Sequence, residues 1–296
     1  MGAADIVPGV SGGTVALVLG IYERLVASIR AASLAIADLV RLRIDLARGW
    51  LRRVDWLLVL GLGAGILLAV LVLARLIEHQ LAVSPVQMAA LFLGFVAGST
   101  VIVWRLLRGR TWVHLVLAVG VAVVVFAALG LREGTSDETV SQVSDPATLA
   151  VFLSGAVAIC AMILPGISGS FILVMLGMYQ PVLGAVNDRN FTLLAVFVLG
   201  AAVGLGLFSQ VLHWALARYH DVVMAGLVGL MAGSVRVLWP WPDGVDSTAL
   251  GAPDGAVAAS VALAVAGFSL VVALHWAASR IERAEVAAVL RGTATR

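Results

Sequence analysis

Two short stretches place hydroxyls, glycines and a proline inside otherwise apolar chain: PGVSGGTVALVLGIYERLV (8–26) and LPGISGSFILVMLGMYQPVL (164–183). In each, a Pro-Gly pair breaks the chain, Ser11 or Ser168 stands where a helix would be capped, and an apolar helix follows. The first N–H groups of such a helix have no intrahelical partner, and its start carries about half a positive charge. Gly12, Gly13 and Gly169 let a ligand approach the backbone closely. The hydroxyls of Ser11, Thr14, Ser168 and Ser170 add donors. Together these groups suit an anion, and phosphate in particular. The plain alternative is a pair of helix breaks in which glycine permits tight packing.

Ionisable residues at membrane depth are costly and point to function. Arg236 follows Gly233-Ser234 inside the apolar run 222–239, and its fixed fork of donors fits a phosphate. Its other reading is an interfacial arginine reaching outward past Trp239 and Trp241. Asp5, three residues before Pro8, has the chemistry to pair with Arg236, carry a coupling proton or bind a cation. Glu23 is either a second coupling group or the partner of adjacent Arg24. Tyr22 and Tyr179, at matching places after the two breaks, join Asp5 and Glu23 as candidates for coupling or gating. His114, His213 and His275 lie near the ends of apolar runs with no metal-ligand partner at helical spacing, and are read as interfacial. The chain has a single cysteine, Cys160, no GxSxG with triad partners and no nucleotide loop. Neither solution-type catalysis, a bound metal nor a nucleic-acid partner has support.

The elements that must position these groups are set by composition. The 296 residues are 61% hydrophobic and 12% charged, about half the charge of a soluble domain. Uncharged runs at 56–74, 86–104, 111–131, 147–187, 190–217 and 255–279 are close to or above the roughly 20 residues that span a bilayer. The sequence predicts an all-α polytopic membrane protein. Residues 1–22 lack an early arginine and are interrupted by Pro8, Gly9, Gly12 and Gly13, a poor match to a cleavable signal.

All 19 basic residues are arginine, so orientation follows from one residue type. Placing the N-terminal region and the arginine-rich 24–53 in the cytoplasm sends 56–74 out, 86–104 in and 111–131 out to an acidic loop with Glu133, Asp137, Glu138 and Asp145. If 147–187 crossed once, Arg280, Arg283, Arg291 and Arg296 would lie outside. If it enters and leaves by one face, 190–217 runs in, 222–239 out and 255–279 in. The loop PDGVDS (242–247) is then outside, and 15 arginines face the cytoplasm while Arg75, Arg132, Arg189 and Arg236 do not. The hairpin is therefore preferred, with its turn near mid-membrane, where non-helical backbone must be buried or line a polar cavity.

The two halves repeat. Aligning 8–26 with 165–183 pairs seven identities in 19, including Pro8/Pro165, Ser11/Ser168, Gly20/Gly177 and Tyr22/Tyr179. ALFLGFVAGSTVIVW (90–104) matches AGLVGLMAGSVRVLW (225–239), with Val101 where the second copy has Arg236, and VLGLGAG (59–65) matches VLGAAVG (198–204). One hairpin plus three spans is an odd number of crossings, so the second half is inverted. The expected units are repeat 1 over 1–132, with its re-entrant motif at 5–25, and repeat 2 over 147–296, with a cytoplasmic C-terminus. A helix over about 28–53, mixing arginine with leucine, isoleucine, valine and Trp50, is expected to lie on the cytoplasmic face against anionic headgroups. The alternative is an ordinary loop helix.

MGAADIVPGVSGGTVALVLGIYERL (1–25), LPGISGS (164–170) and GLMAGSVRVLWPW (229–241) resemble the bacterial polyprenyl-phosphate transporter family, formerly catalogued as a membrane domain of unknown function. The resemblance extends over essentially the whole chain. It implies an inner-membrane translocase that returns undecaprenyl phosphate or a similar carrier lipid to the cytoplasmic leaflet for envelope synthesis. It also implies a longer helix ahead of the first motif, which makes Met1 a late or truncated start. On this reading the headgroup binds Ser11, Gly12, Gly13, Thr14, Ser168, Gly169, Ser170 and Arg236. One repeat rocks against the other, with no resident cofactor and with proton or sodium coupling open. Two rivals remain. A polyprenyl-pyrophosphate phosphatase would share re-entrant repeats and a related PGxSxS motif, but Gly169 stands where those enzymes have arginine, and their acidic and histidine elements are missing. A small-anion channel or exporter could use the same cradle.

Overall fold

The computed structural model describes residues 1–2, 11–131, 143, 146–242, 244, 249–255 and 257–294, the stretch 281–294 by backbone alone. Asp5, Pro8, Gly9, Arg132, the acidic-loop residues Glu133 to Asp145 named above, most of 242–247 and the side chains of Arg283, Arg291 and Arg296 lie outside the described residues. The helices are α1 (Gly12–Val18), α2 (Tyr22–Val40), α3 (Ile44–Leu51), α4 (Trp56–Val83), α5 (Pro85–Arg105), α6 (Trp112–Gly130), α7 (Thr148–Ile163), α8 (Gly169–Met175), α9 (Tyr179–Asn187), α10 (Phe191–Ser234) and α11 (Val257–Ala294), with a 3₁₀ turn at Val235–Leu238 after α10. The described residues contain no strand. Among the described residues, five helices are long and apolar enough to cross a membrane (α4, α5, α6, α10 and α11), and the bent pair α8–α9 makes a sixth if taken as one span. The chain is a multi-helix membrane protein.

The 44 residues of α10 would extend about 66 Å as one straight helix, twice the roughly 30 Å of a hydrocarbon core. The backbone leaves the helical region at Tyr219 (φ −133°, ψ 45°), dividing 191–218 from 220–234. The two spans read from sequence are therefore joined by a bend instead of a loop.

Helices in lipid gain little from apolar burial against one another, so they associate where small residues let backbones meet. Three such contacts organise the bundle. A Cβ built on Gly200 would lie 2.0 Å from the Phe152 carbonyl oxygen, and one on Gly204 2.6 Å from Ala156, which seats 191–218 on α7. Equivalent positions on Gly94 and Gly98 would meet Ala264 (2.0 Å) and Phe268 (3.2 Å), seating α5 on α11. Those on Gly229 and Gly233 would meet the Ala118 carbonyl oxygen and the Val125 Cβ, each at 2.6 Å, seating 220–234 on α6. In every pair the residue numbers rise together, so the partners run parallel. Pro146, Thr148, Asn190 and Thr192 line one small cavity, so the chain returns from α7, α8 and α9 to the end at which α7 began.

The helix expected over about 28–53 is two helices, and this is a correction. α2 starts at Tyr22, just after the turn at Gly20, and ends at Val40, beyond which the left-handed backbone of Leu42 (φ 58°) turns the chain into α3. Arg43 N–H donates to the Asp38 carbonyl at 2.8 Å and Leu42 N–H to that of Leu39 at 2.9 Å, the closing pattern that normally uses glycine. α2 buries Val26, Ser28, Ala31, Ala35 and Asp38, while Ile36, Val40, Leu42 and Ile44 form an exposed apolar tip beside exposed Arg41 and Arg43. Asp55 ties α2 to α4. Its carboxylate pairs with Arg24 and accepts from Leu58 N–H at 3.1 Å, and its own N–H donates to Ser28 Oγ at 3.2 Å. The Arg24 guanidinium and the Leu58 N–H hold the Asp55 carboxyl below the usual carboxylate range.

Candidate functional site

The two motifs fold alike. Ser11 and Ser168 hold the extended N-cap backbone of seven-residue helices (φ −129°, ψ 152° and φ −93°, ψ 137°). Each helix is closed by a left-handed glycine, Gly20 (φ 72°) and Gly177 (φ 67°). Gly20 N–H donates to Leu17 and Ile21 N–H to Ala16, both at 3.0 Å; Gly177 N–H donates to Val174 and Met178 N–H to Leu173, both at 2.9 Å. α8 and α9 then meet at 109°. The expectation that serine side chains cap these helices needs correction, because neither side chain makes a cap bond. Ser11 Oγ donates instead to the Leu164 carbonyl at 3.1 Å, and Ser168 Oγ and Ser170 Oγ share a hydrogen bond of 2.7 Å.

The Ser11 bond brings the motifs together across 153 residues of sequence. The last carbonyls of α7 have no helical partner, and Pro165 supplies no N–H. The first motif satisfies them: Ser11 donates to Leu164, and Tyr22 Oη donates to the Ile163 carbonyl at 3.2 Å. Gly13 lies so close that a Cβ there would be 2.6 Å from the same Ile163 oxygen. The second motif leans on α10, where a Cβ on Gly166 (φ 86°) would be 2.9 Å from Met231 Cα. Ser11, Gly12, Gly13, Thr14, Ser168 and Gly169 are buried, whereas Ser170 is exposed. Ser168, Gly169 and Ser170 border a cavity of about 260 Å³ whose other walls, Gly155, Met162 and Phe197 among them, are apolar. Tyr22 is buried, but its repeat partner Tyr179 is half-buried.

Thr14 is the informative member. Its hydroxyl is buried and has no hydrogen-bond partner among the described residues. An unmet buried hydroxyl costs about 1–3 kcal/mol. Thr14→Val keeps the shape and removes that cost, so the melting temperature of the detergent-solubilised protein is expected to rise by the equivalent of about 1 kcal/mol. A fall would mean that the hydroxyl is satisfied.

Arg236 lies in the 3₁₀ turn Val235–Leu238, about 8 Å along the axis beyond the Met231 contact of the second motif. Its guanidinium packs on α6, 4.9 Å from the Phe126 ring centre and against Gly130. Trp239 and Trp241, the aromatics it was expected to pass if interfacial, donate their indole N–H groups to the Gly251 and Asp254 carbonyls.

Two expectations about charged neighbours change. Arg24 pairs with Asp55, and Glu23 instead meets His220, Nε2 to Oε1 at 3.1 Å. His220 Nδ1 is 2.8 Å from Asp221 Oδ1, and that carboxylate also accepts from the N–H groups of Arg108 (3.0 Å) and Gly109 (2.7 Å). Sequence reasoning passed over this pair. Its signal was ARYHD (217–221), the polar break between two apolar runs. His275, read from the sequence as interfacial, donates from Nδ1 to the Val18 carbonyl at 2.7 Å, at the end of α1.

Comparison with known proteins places these features in a lineage. The chain is 40% identical over 246 residues to the polyprenyl-phosphate transporter of Vibrio cholerae, covering 82% of this chain and 76% of that protein. It is 27% identical over 251 residues to the polyprenyl-phosphate transporter of Staphylococcus aureus, covering 81% and 83%. Both relatives are named as transporters and neither as an enzyme. No solved structure matches the chain. Residues 1–251 match the undecaprenyl phosphate translocase-like family, and the chain belongs to it.

Proposed function

We propose that this chain is a translocase of undecaprenyl phosphate or a similar polyprenyl phosphate in the bacterial inner membrane, with its C-terminus cytoplasmic. It returns the carrier lipid to the cytoplasmic leaflet for envelope synthesis. The headgroup binds at mid-membrane between the two motifs, held by Ser11, Gly12, Gly13, Thr14, Ser168, Gly169, Ser170 and Arg236. The observation that carries this reading is the seat of Ser11, Gly13 and Tyr22 on the Ile163–Leu164 carbonyls, which sets two equivalent helix starts beside each other.

The chain divides into two inverted halves, 1–132 and 147–296, that rock against each other to open the site to alternate leaflets. Support comes from the packing. The segments around Gly94 and Gly229 match in sequence, yet α5 is followed by a short turn into α6, and α6 runs parallel to the Gly229 segment. The matching segments therefore run in opposite directions. Each also packs on a helix of the other half, α5 on α11 and 220–234 on α6, so a movement of one half is felt by the other. The lipid tail stays in the bilayer, which the largely exposed apolar faces of α4 and α6 border.

The test is transport by purified protein in vesicles loaded in one leaflet with a labelled polyprenyl phosphate. Transfer to the opposite leaflet is expected, with no passage of free phosphate and no phosphate released from the corresponding pyrophosphate lipid. Passage of free phosphate would favour an anion channel, and phosphate release would favour a phosphatase. Either result without lipid transfer overturns the proposal. Repeating the transfer with imposed proton and sodium gradients identifies the coupling ion.

A further inference from the structure

Glu23, His220 and Asp221 form a chain of three titratable groups where three elements meet. Glu23 opens α2, one residue after Tyr22, which holds the first motif to α7. His220 and Asp221 directly follow the bend of α10 at Tyr219. Asp221 accepts the Arg108 and Gly109 N–H groups of the turn between α5 and α6. The side chains of His220 and Asp221 are 13% and 20% exposed, and that of Glu23 is 57% exposed. Solvent protons reach the outer end of the chain, while the inner end is fixed to backbone.

The proton inventory decides when this chain can close. Asp221 receives two backbone N–H groups, an arrangement that favours its anion, and therefore requires an N–H on His220 Nδ1 at the 2.8 Å contact. With only that proton, Nε2 presents a lone pair to the Glu23 carboxylate at 3.1 Å, two acceptors facing each other. The contact is attractive only if one further proton lies between them, as imidazolium with carboxylate or as imidazole with carboxylic acid. Among the described residues the neighbouring cations are engaged elsewhere: Arg24, beside Glu23 on α2, pairs with Asp55, and Arg218 on α10 lies over the Tyr219 ring at 5.8 Å. From the α5–α6 turn, Arg108 and Gly109 contribute backbone N–H groups, and the charged side chains there are those of Arg105, Arg108 and Arg110.

We propose that Glu23 and His220 bind one shared proton that latches the first motif to the bend of α10, closed while the proton is held and opened when it leaves. Each closing takes one proton from solvent and each opening returns one. The sign follows: the contact stabilises the closed arrangement at low pH and is lost as pH rises through the value at which the shared proton dissociates. The latch rests on the translocase reading only for its consequence, which is to couple a proton to the rocking of the two halves.

The experiment uses the full chain in lipid vesicles free of polyprenyl phosphate. Spin labels are placed at the exposed Leu42→Cys and Trp112→Cys positions in a Cys160→Ala background, and the label distance is measured at about pH 5.5 and about pH 8.5, on either side of neutrality. In otherwise unaltered protein, the population with the short distance is expected to fall at least about fivefold on going to the higher pH. In His220→Gln and in Glu23→Gln, each measured separately in case one fails to fold, the distribution is expected to be the same at both. A distribution that ignores pH in the unaltered protein overturns the latch, as does an undiminished pH response in both variants. A pH-driven change without lipid transfer would keep the latch and remove the translocase, and lipid transfer with a pH-blind distance would do the reverse.

Discussion

Gly200→Val is expected to abolish assembly of the protein, whereas Gly61→Val, at the matching position of the first half, is expected to be tolerated. A Cβ on Gly200 would sit 2.0 Å from the Phe152 carbonyl oxygen and 2.7 Å from its carbon. The obstacle is backbone, so no rotamer change relieves it, and α7 and α10 would have to separate along their contact. That movement also undoes the contacts at Gly155, whose added Cβ would lie 2.3 Å from the Phe197 oxygen, and at Gly204. Overpacking a core costs about 1–3 kcal/mol and occasionally more. A rigid helix seam lies at or above the upper end, a large share of the roughly 5–15 kcal/mol that holds a domain. Gly61 has no described atom within 4 Å of an added Cβ, so valine there meets no obstacle and, as a better helix former than glycine, changes stability by about half a kcal/mol or less in the favourable direction. Gly94→Val, 2.0 Å from the Ala264 oxygen, is expected to behave like Gly200→Val. The measurement is the yield and melting temperature of monodisperse protein in detergent. Equal damage from Gly61→Val would mean that this face of α4 is also packed.

Much of this arrangement is legible in the chain because it depends on short-range rules. Apolar runs mark the crossing helices, and Gly20 and Gly177 mark where the short helices stop. What was misread depends on partners far away in sequence. Ser11 and Ser168 stand at N-cap positions, yet the Ser11 hydroxyl goes to the Leu164 carbonyl, a need created by Pro165 that no local pattern contains. Leu42 turns left-handed without the glycine that would have announced it, so α2 and α3 read as one helix. The polar ARYHD break looked like the loop between two spans. In three dimensions His220 and Asp221 reach Glu23 and the α5–α6 turn, which lie 197 and 112 or 113 residues away.

Joint replacement of Arg236 and Ser168 by alanine is expected to reduce lipid transfer in vesicles by about a hundredfold or more, with the protein still assembled. A hydrogen bond to a charged group contributes about 1.5–3 kcal/mol, and arginine adds charge and a two-pronged fit to phosphate oxygens. Losing one such contact costs about ten- to hundredfold by the usual conversion of 1.4 kcal/mol per tenfold. Ser168→Ala alone is expected to cost less, because Ser170, its 2.7 Å partner, remains at the same helix start. Arg236→Lys separates charge from shape: if the fork matters, lysine recovers only part of the transfer. Assembly is expected to survive, since the Arg236 guanidinium packs on Phe126 and Gly130 at one edge of α6, and a cation over a ring contributes about 0.5–1 kcal/mol at an accessible site. Wild-type transfer by the assembled double variant would remove both residues from the headgroup site. The grip would then rest on the first motif, where Thr14 keeps a buried hydroxyl with no described partner.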